Sequence, residues 1–186
     1  MSKYDVMLSI RPTYCSLIME GKKTAELRKS APKQKPPFKC FIYCTMGKDK
    51  LRNIVKDGDE LYGYIHKGKT QFYKMPEVDY LTAGKRGKII GEFVCDEIAP
   101  ITFQDGGGAT LHYEGEIKNW RTCVSEKEGR AYCGATEKRG LWAWHISELK
   151  IYDKPKELKQ FQIPNTYPAR MIRQAPQSWI YAEEIS

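Results

Sequence analysis

At 186 residues, with 41% hydrophobic and 29% charged residues, the chain has the composition of an ordinary globular protein with room for a sizeable core. No run approaches the roughly 20 apolar residues that cross a bilayer, and Met1–Asp5 lacks the apolar stretch of a secretory signal. The expectation is a cytoplasmic protein with no membrane association, whose six cysteines are thiols rather than a disulfide framework. The net charge of +8, from 31 Lys+Arg against 23 Asp+Glu, suits a polyanionic partner such as RNA or DNA, and 12 Tyr, 6 Phe and 4 Trp supply possible stacking surfaces.

Residues 4 to 10 alternate as a strand, with Val6, Leu8 and Ile10 on one face and Asp5, Met7 and Ser9 on the other. Pro12 to Glu20 reads as a helix opened by its proline, with Tyr14, Leu17 and Ile18 spaced to face the core. Gly21 fits the left-handed position that ends such a helix. The chain then runs extended through Lys22-Lys23-Thr24-Ala25-Glu26-Leu27-Arg28. Ala25 and Leu27 face one side, and Thr24, Glu26 and Arg28 face the other, with Lys23 at the helix-to-strand corner. Residues 29 to 37 form a basic, proline-rich loop in which Lys29, Lys33 and Lys35 extend the positive rim begun by Arg28.

Phe38 to Thr45 predicts a strand with Phe38, Cys40, Ile42 and Cys44 on one face and Phe41, Tyr43 and Thr45 on the other. The cysteines are too scattered for a zinc site, and neither metal nor cofactor is expected. Residues 46 to 88 read as a basic excursion holding a strand at Leu61–His66 and a hairpin through His66-Lys67-Gly68-Lys69 to Thr70–Phe72. Lys88 to Ile98 predicts a central strand with Ile89, Gly91, Phe93 and Cys95 opposite Ile90, Glu92, Val94 and Asp96. A glycine loop at 105 to 108 follows, then a short helix within 118 to 129. Leu141 to Ile151 reads as one long strand, Pro155 to Phe161 as the start of a short helix, residues 162 to 176 as a loop, and Gln177 to Glu183 as a closing strand. His145 reads as a core or supporting histidine, and His66 and His112 as surface residues. With no linker or internal repeat, residues 1–186 are expected to form a single α+β domain, with 46–88 and 103–138 as insertions or variable loops.

Gly21-x-Lys23-x-x-Glu26-x-Arg28 after a short helix resembles the signature of ASCH domains, members of the PUA-like superfamily. Ser9-Ile10-Arg11-Pro12, Lys88 to Phe93, Trp144-His145-Ile146-Ser147, Leu149 to Tyr152 and Pro176-Gln177-Ser178-Trp179 extend the similarity to a group of ASCH-domain proteins from bacteria and their phages, including prophages. The resemblance implies a small mixed β-barrel flanked by short helices, here carrying a basic insertion.

It also implies a partner. ASCH domains resemble RNA-binding PUA relatives with a cleft beside the signature. RNA, another single-stranded nucleic acid or a nucleotide is the expected ligand, contacted by Lys22, Lys23, Arg28, Lys33 and Lys35, with Glu26 accepting from a base amino group. A second implication is hydrolysis, because some small ASCH proteins resemble N4-acetylcytidine amidohydrolases and others ribonucleases. On that pattern Lys23 and Glu92 are the catalytic candidates. The threonine position is held by Glu26, leaving Thr24 on the same strand face as a substitute nucleophile. A phage accessory protein that binds another protein is the third reading.

Overall fold

The alternation of the first and third strands survives intact in three dimensions and organises the molecule. The computed structural model describes residues 4–46, 54–57, 61–66, 69–74, 81–82, 84–103, 109–113, 116–117, 119–134 and 140–185; within 54–74 and 102–118 it describes the backbone. In chain order the elements are β1 (Asp5–Ile10), α1 (Pro12–Met19), β2 (Ala25–Arg28), β3 (Phe38–Cys44), β4 (Ile54–Asp57), β5 (Leu61–His66), β6 (Lys69–Lys74), β7 (Lys88–Cys95), β8 (Ile98–Phe103), β9 (Ala109–Tyr113) and β10 (Glu116–Ile117). They continue as α2 (Glu126–Cys133), β11 (Leu141–His145), β12 (Ser147–Lys156), β13 (Phe161–Ile163), β14 (Arg170–Met171) and β15 (Trp179–Glu184). The fold is α+β, mostly strands, with no described helix long and apolar enough to cross a membrane.

Among the described residues the strands form three sheets, in the orders β12-β7-β3-β1-β15-β13-β14, β10-β9-β8-β11-β2 and β4-β5-β6. The β1–β3 pair is parallel and the other pairs are antiparallel. Among the described residues no pairing closes a sheet on itself, so the barrel expected from the resemblance is not confirmed. The basic excursion contains the expected hairpin, with His66 opposite Lys69, and adds β4 as a third strand. Its Lys48, Lys50, Arg52 and Lys67, and the glycine loop at 105–108, lie outside the described residues; the side chains of His66 and His112 do as well.

The main core lies against one face of the seven-stranded sheet. Val6, Leu8, Ile10, Phe38, Cys40, Ile42 and Cys44 present that face to Cys15 and Ile18 of α1 and to Trp144 of β11. Burying side chains of this size stabilises by roughly 1.5–3 kcal/mol each. The opposite face carries Met7, Phe41, Tyr43 and Ile89, covered by Phe161 and Ile172. A third cluster, Ala25, Leu27, Leu141 and Ala143 with Cys133 of α2, fills the far side of the five-stranded sheet.

Several elements depart from the sequence reading. The expected strand Leu141–Ile151 breaks at Ile146: β11 pairs with β2 and β8, whereas β12 crosses to β7. His145 N donates to Glu97 O at 3.0 Å and Ile146 N to Thr24 O at 2.9 Å, which fixes the crossing. The helix expected within 118–129 starts later, because Ser125 and Glu128 form a reciprocal capping box that sets its first turn at Glu126. The helix expected from Pro155 is a single 3-10 turn, Leu158–Gln160, between β12 and β13. A bulge where Ile42 and Tyr43 pair with Gly91 and Ile89 turns Ile90 into the main core and Ile89 to the other face, reversing those two assignments.

Candidate functional site

The signature is built by a helix stop. The Gly21 amide donates to Ile18 O and the Lys22 amide to Leu17 O, with Gly21 at φ +67°, so the last carbonyls of α1 are satisfied and the chain turns sharply into β2. Lys23 is thereby delivered to the inner side of the turn. From there β2 pairs with β11, Glu26 opposite Trp144 and Arg28 opposite Trp142, so both charged side chains share the tryptophans' core-facing side.

Three charged residues meet there. Lys23 Nζ lies 3.3 Å from Glu26 Oε2, and Arg28 NH2 lies 3.1 Å from Glu26 Oε1; the side chains are 1%, 7% and 6% exposed for Lys23, Glu26 and Arg28. Arg28 NH2 also donates to Ser9 O at 2.8 Å, Lys23 Nζ donates to Thr122 O, and the ammonium stands 4.9 Å from the centre of the Tyr14 ring. Two cations face one carboxylate, leaving one positive charge in excess in a desolvated place. Among the described residues, Arg28 Nε and Trp144 Nε1 are buried donors without a hydrogen-bond partner. Desolvation holds the Tyr14 phenol above its ordinary pKa, with the nearby Glu128 carboxylate adding to the shift. The buried Cys15 and Cys40 thiols are pushed up in the same way, which keeps them unreactive.

A segment that the sequence reading assigned to a helix, residues 119 to 125, closes over this cluster as a strap. Arg121 Nε donates to Lys22 O at 2.8 Å and its NH2 to Gly21 O at 2.9 Å. Thr24 Oγ1 accepts from the Arg121 amide at 2.8 Å, so the proposed substitute nucleophile is engaged in holding the strap. Trp120 stacks on His145 with ring centres 4.7 Å apart, and His145 Nδ1 lies 2.7 Å from Asp96 Oδ1. The Ser125-x-x-Glu128 pattern was the available signal: by placing the start of α2, it leaves the preceding residues as loop.

Lys23, Glu26 and Arg28 come together, and Glu92, the other catalytic candidate, does not join them. Glu92 points to the opposite face of the seven-stranded sheet, where Tyr152 Oη donates to its Oε2 at 2.5 Å. Lys22 is exposed and pairs with Glu20 at 2.8 Å. Lys33 and Lys35 are exposed on the proline-rich loop, whose course is fixed at two points. Trp179 Nε1 donates to Ser30 Oγ at 3.1 Å, and the Gln34 side chain both donates to Tyr4 O and accepts from the Tyr4 amide, at 2.7 and 3.3 Å. The loop therefore follows a row of rings. Trp144, Trp179, Tyr181 and Tyr4 succeed one another at centroid distances of 6.0, 5.5 and 5.6 Å, the last three half-buried. Sequence reasoning did not single out this row, because Tyr4, Trp144 and the pair Trp179 and Tyr181 lie far apart in the chain.

The ASCH domain family model matches residues 8–128, from β1 through the signature and strap into α2. The chain belongs to the ASCH-domain family. As an ASCH domain it falls in the PUA-like superfamily. A crystal structure of an ASCH protein from Zymomonas mobilis is similar throughout, with a TM-score of 0.52 over 98% of this chain and 99% of that one, at 17% identity. At that identity the likeness speaks for the ASCH fold alone. A comparison with curated proteins finds no match.

Proposed function

We propose that this ASCH domain is a binding module for single-stranded RNA. The observation that carries the reading is the basic loop 29–37 pinned beside the half-buried rings of Trp179, Tyr181 and Tyr4. Exposed lysines along a row of rings offer a strand its two generic handles, phosphate charge and base stacking; stacking contributes about 1–3 kcal/mol per base. The PUA-like kinship and the net charge of +8 agree with a nucleic-acid partner. Lys33 and Lys35 meet phosphates, while Lys29 stands over the Tyr132 ring of α2 at 5.1 Å from its centre. Lys23 and Arg28 are too enclosed to touch them and act through their field, holding the strap and strand in place.

The hydrolase reading has less support. Its acid–base pair would be Lys23 and Glu92, and these lie on opposite sides of a sheet. A general base must come within hydrogen-bond reach of the proton it moves. Titrating mixed-sequence single-stranded RNA at low and high salt tests the binding reading: affinity must fall steeply with salt, and undetectable binding at low salt refutes it.

A further inference from the structure

The row of rings does not end at Tyr4. Asn165 Nδ2 donates to Tyr4 Oη, tying the end of β1 to the loop between β13 and β14. That loop is internally braced: Thr166 Oγ1 donates to Ile163 O at 2.9 Å and accepts from the Arg170 amide at 3.0 Å. The brace leaves Tyr167 at the tip with 103% exposure, a whole aromatic ring held out in water. Beside it opens a groove of about 800 Å³ whose lining includes Arg170, Arg173 and Gln174 and contains no carboxylate. Arg170 and Arg173 are both exposed. A fully exposed ring offers a flat face for a base to stack on, and two exposed guanidiniums beside it in a groove without a carboxylate are suited to paired phosphate oxygens, in keeping with the net charge of +8.

We infer that Tyr167, Arg170 and Arg173 form a distal subsite for single-stranded nucleic acid, reached round the end of β1 from the loop that carries Lys33 and Lys35. Tyr167 stacks on one base, and the two arginines take the flanking phosphates. The subsite lies outside the residues of the signature, and the inference rests on the RNA-binding reading. A strand long enough to pass both places binds more tightly than a short one that fills the first alone.

The test uses the whole protein with a fluorescent oligo-uridine tetramer and dodecamer, and an oligo-thymidine dodecamer to separate RNA from DNA. Arg170→Glu/Arg173→Glu should weaken dodecamer binding by about tenfold or more and lower the magnitude of its log–log salt slope by about 1.4, while leaving the tetramer unchanged. Tyr167→Ala should weaken dodecamer binding by at least about fivefold without altering the slope. If the parent binds the dodecamer and these variants bind it equally well, the subsite is overturned and the RNA reading stands. If the parent binds neither oligonucleotide, both fall.

Discussion

Tyr152 donates a 2.5 Å hydrogen bond to Glu92, and that bond anchors the carboxylate on the side of the seven-stranded sheet away from Glu26. The two glutamates that the sequence invites one to combine belong to different environments. One neutralises part of a buried cationic cluster, and the other accepts from a phenol.

Tyr152→Phe removes this bond while keeping the ring. Hydrogen bonds to charged groups contribute about 1.5–3 kcal/mol, and the partial exposure of Glu92 places this one at the lower end. Urea denaturation should show a loss of about 1.5 kcal/mol with RNA affinity unchanged. A matching loss of affinity would place Glu92 in the binding surface.

The same bond gives an alkaline signature. Burial, then the Glu92 hydrogen bond, raises the Tyr152 pKa; desolvation also raises those of Tyr14 and Tyr43. Above about pH 10 the unfolded chain releases phenolic protons that the folded protein still holds, so it binds fewer protons and stability falls as pH rises. Tyr152→Phe should make that decline shallower. An equally steep decline in the variant would assign it to other groups.

Glu26→Ala should be far more disruptive. It leaves Lys23 and Arg28 buried beside each other without their shared carboxylate, and breaking a buried ion pair costs about 3–5 kcal/mol. A loss below about 1 kcal/mol would mean that the cluster opens to water readily.

Two glycines separate backbone conformation from space. Gly21 has φ +67°, and a Cβ added there would meet nothing within 4 Å, so Gly21→Ala should cost about 1 kcal/mol. At Gly91 a Cβ would stand 2.5 Å from Lys150 O, so Gly91→Ala must push β12 from β7 and should cost roughly 3 kcal/mol. Thermal denaturation of the two variants should rank them in that order; equal costs would contradict the close β7–β12 approach.

Much of this was legible because local rules coincided with tertiary packing. The alternation in Phe38–Cys44 named both faces of β3, and the Gly21 helix stop placed Lys23, Glu26 and Arg28 together. What was not legible depends on partners. The bulge at Ile90 arises from pairing with β3, and the break at Ile146 arises because β11 and β12 serve different sheets. The separation of Glu92 from Lys23 was hidden for a related reason: alternation tells which residues share a face, but not which faces of two sheets meet.

If the protein is a binder, offering it N4-acetylcytidine or RNA yields no turnover. Turnover that disappears in both Lys23→Ala and Glu92→Gln, with the variants folded, would overturn that expectation, since a positioned acid or base contributes about 10²–10⁴-fold in rate.

The most direct measurement of RNA binding is the salt dependence of affinity for single-stranded RNA in the parent and in Lys33→Glu/Lys35→Glu. Both lysines are exposed, so the substitutions leave the core untouched. Losing two phosphate contacts should lower the magnitude of the log–log slope by about 1.4 and weaken binding at low salt. An unchanged slope and affinity would contradict the proposed course of RNA along the basic loop.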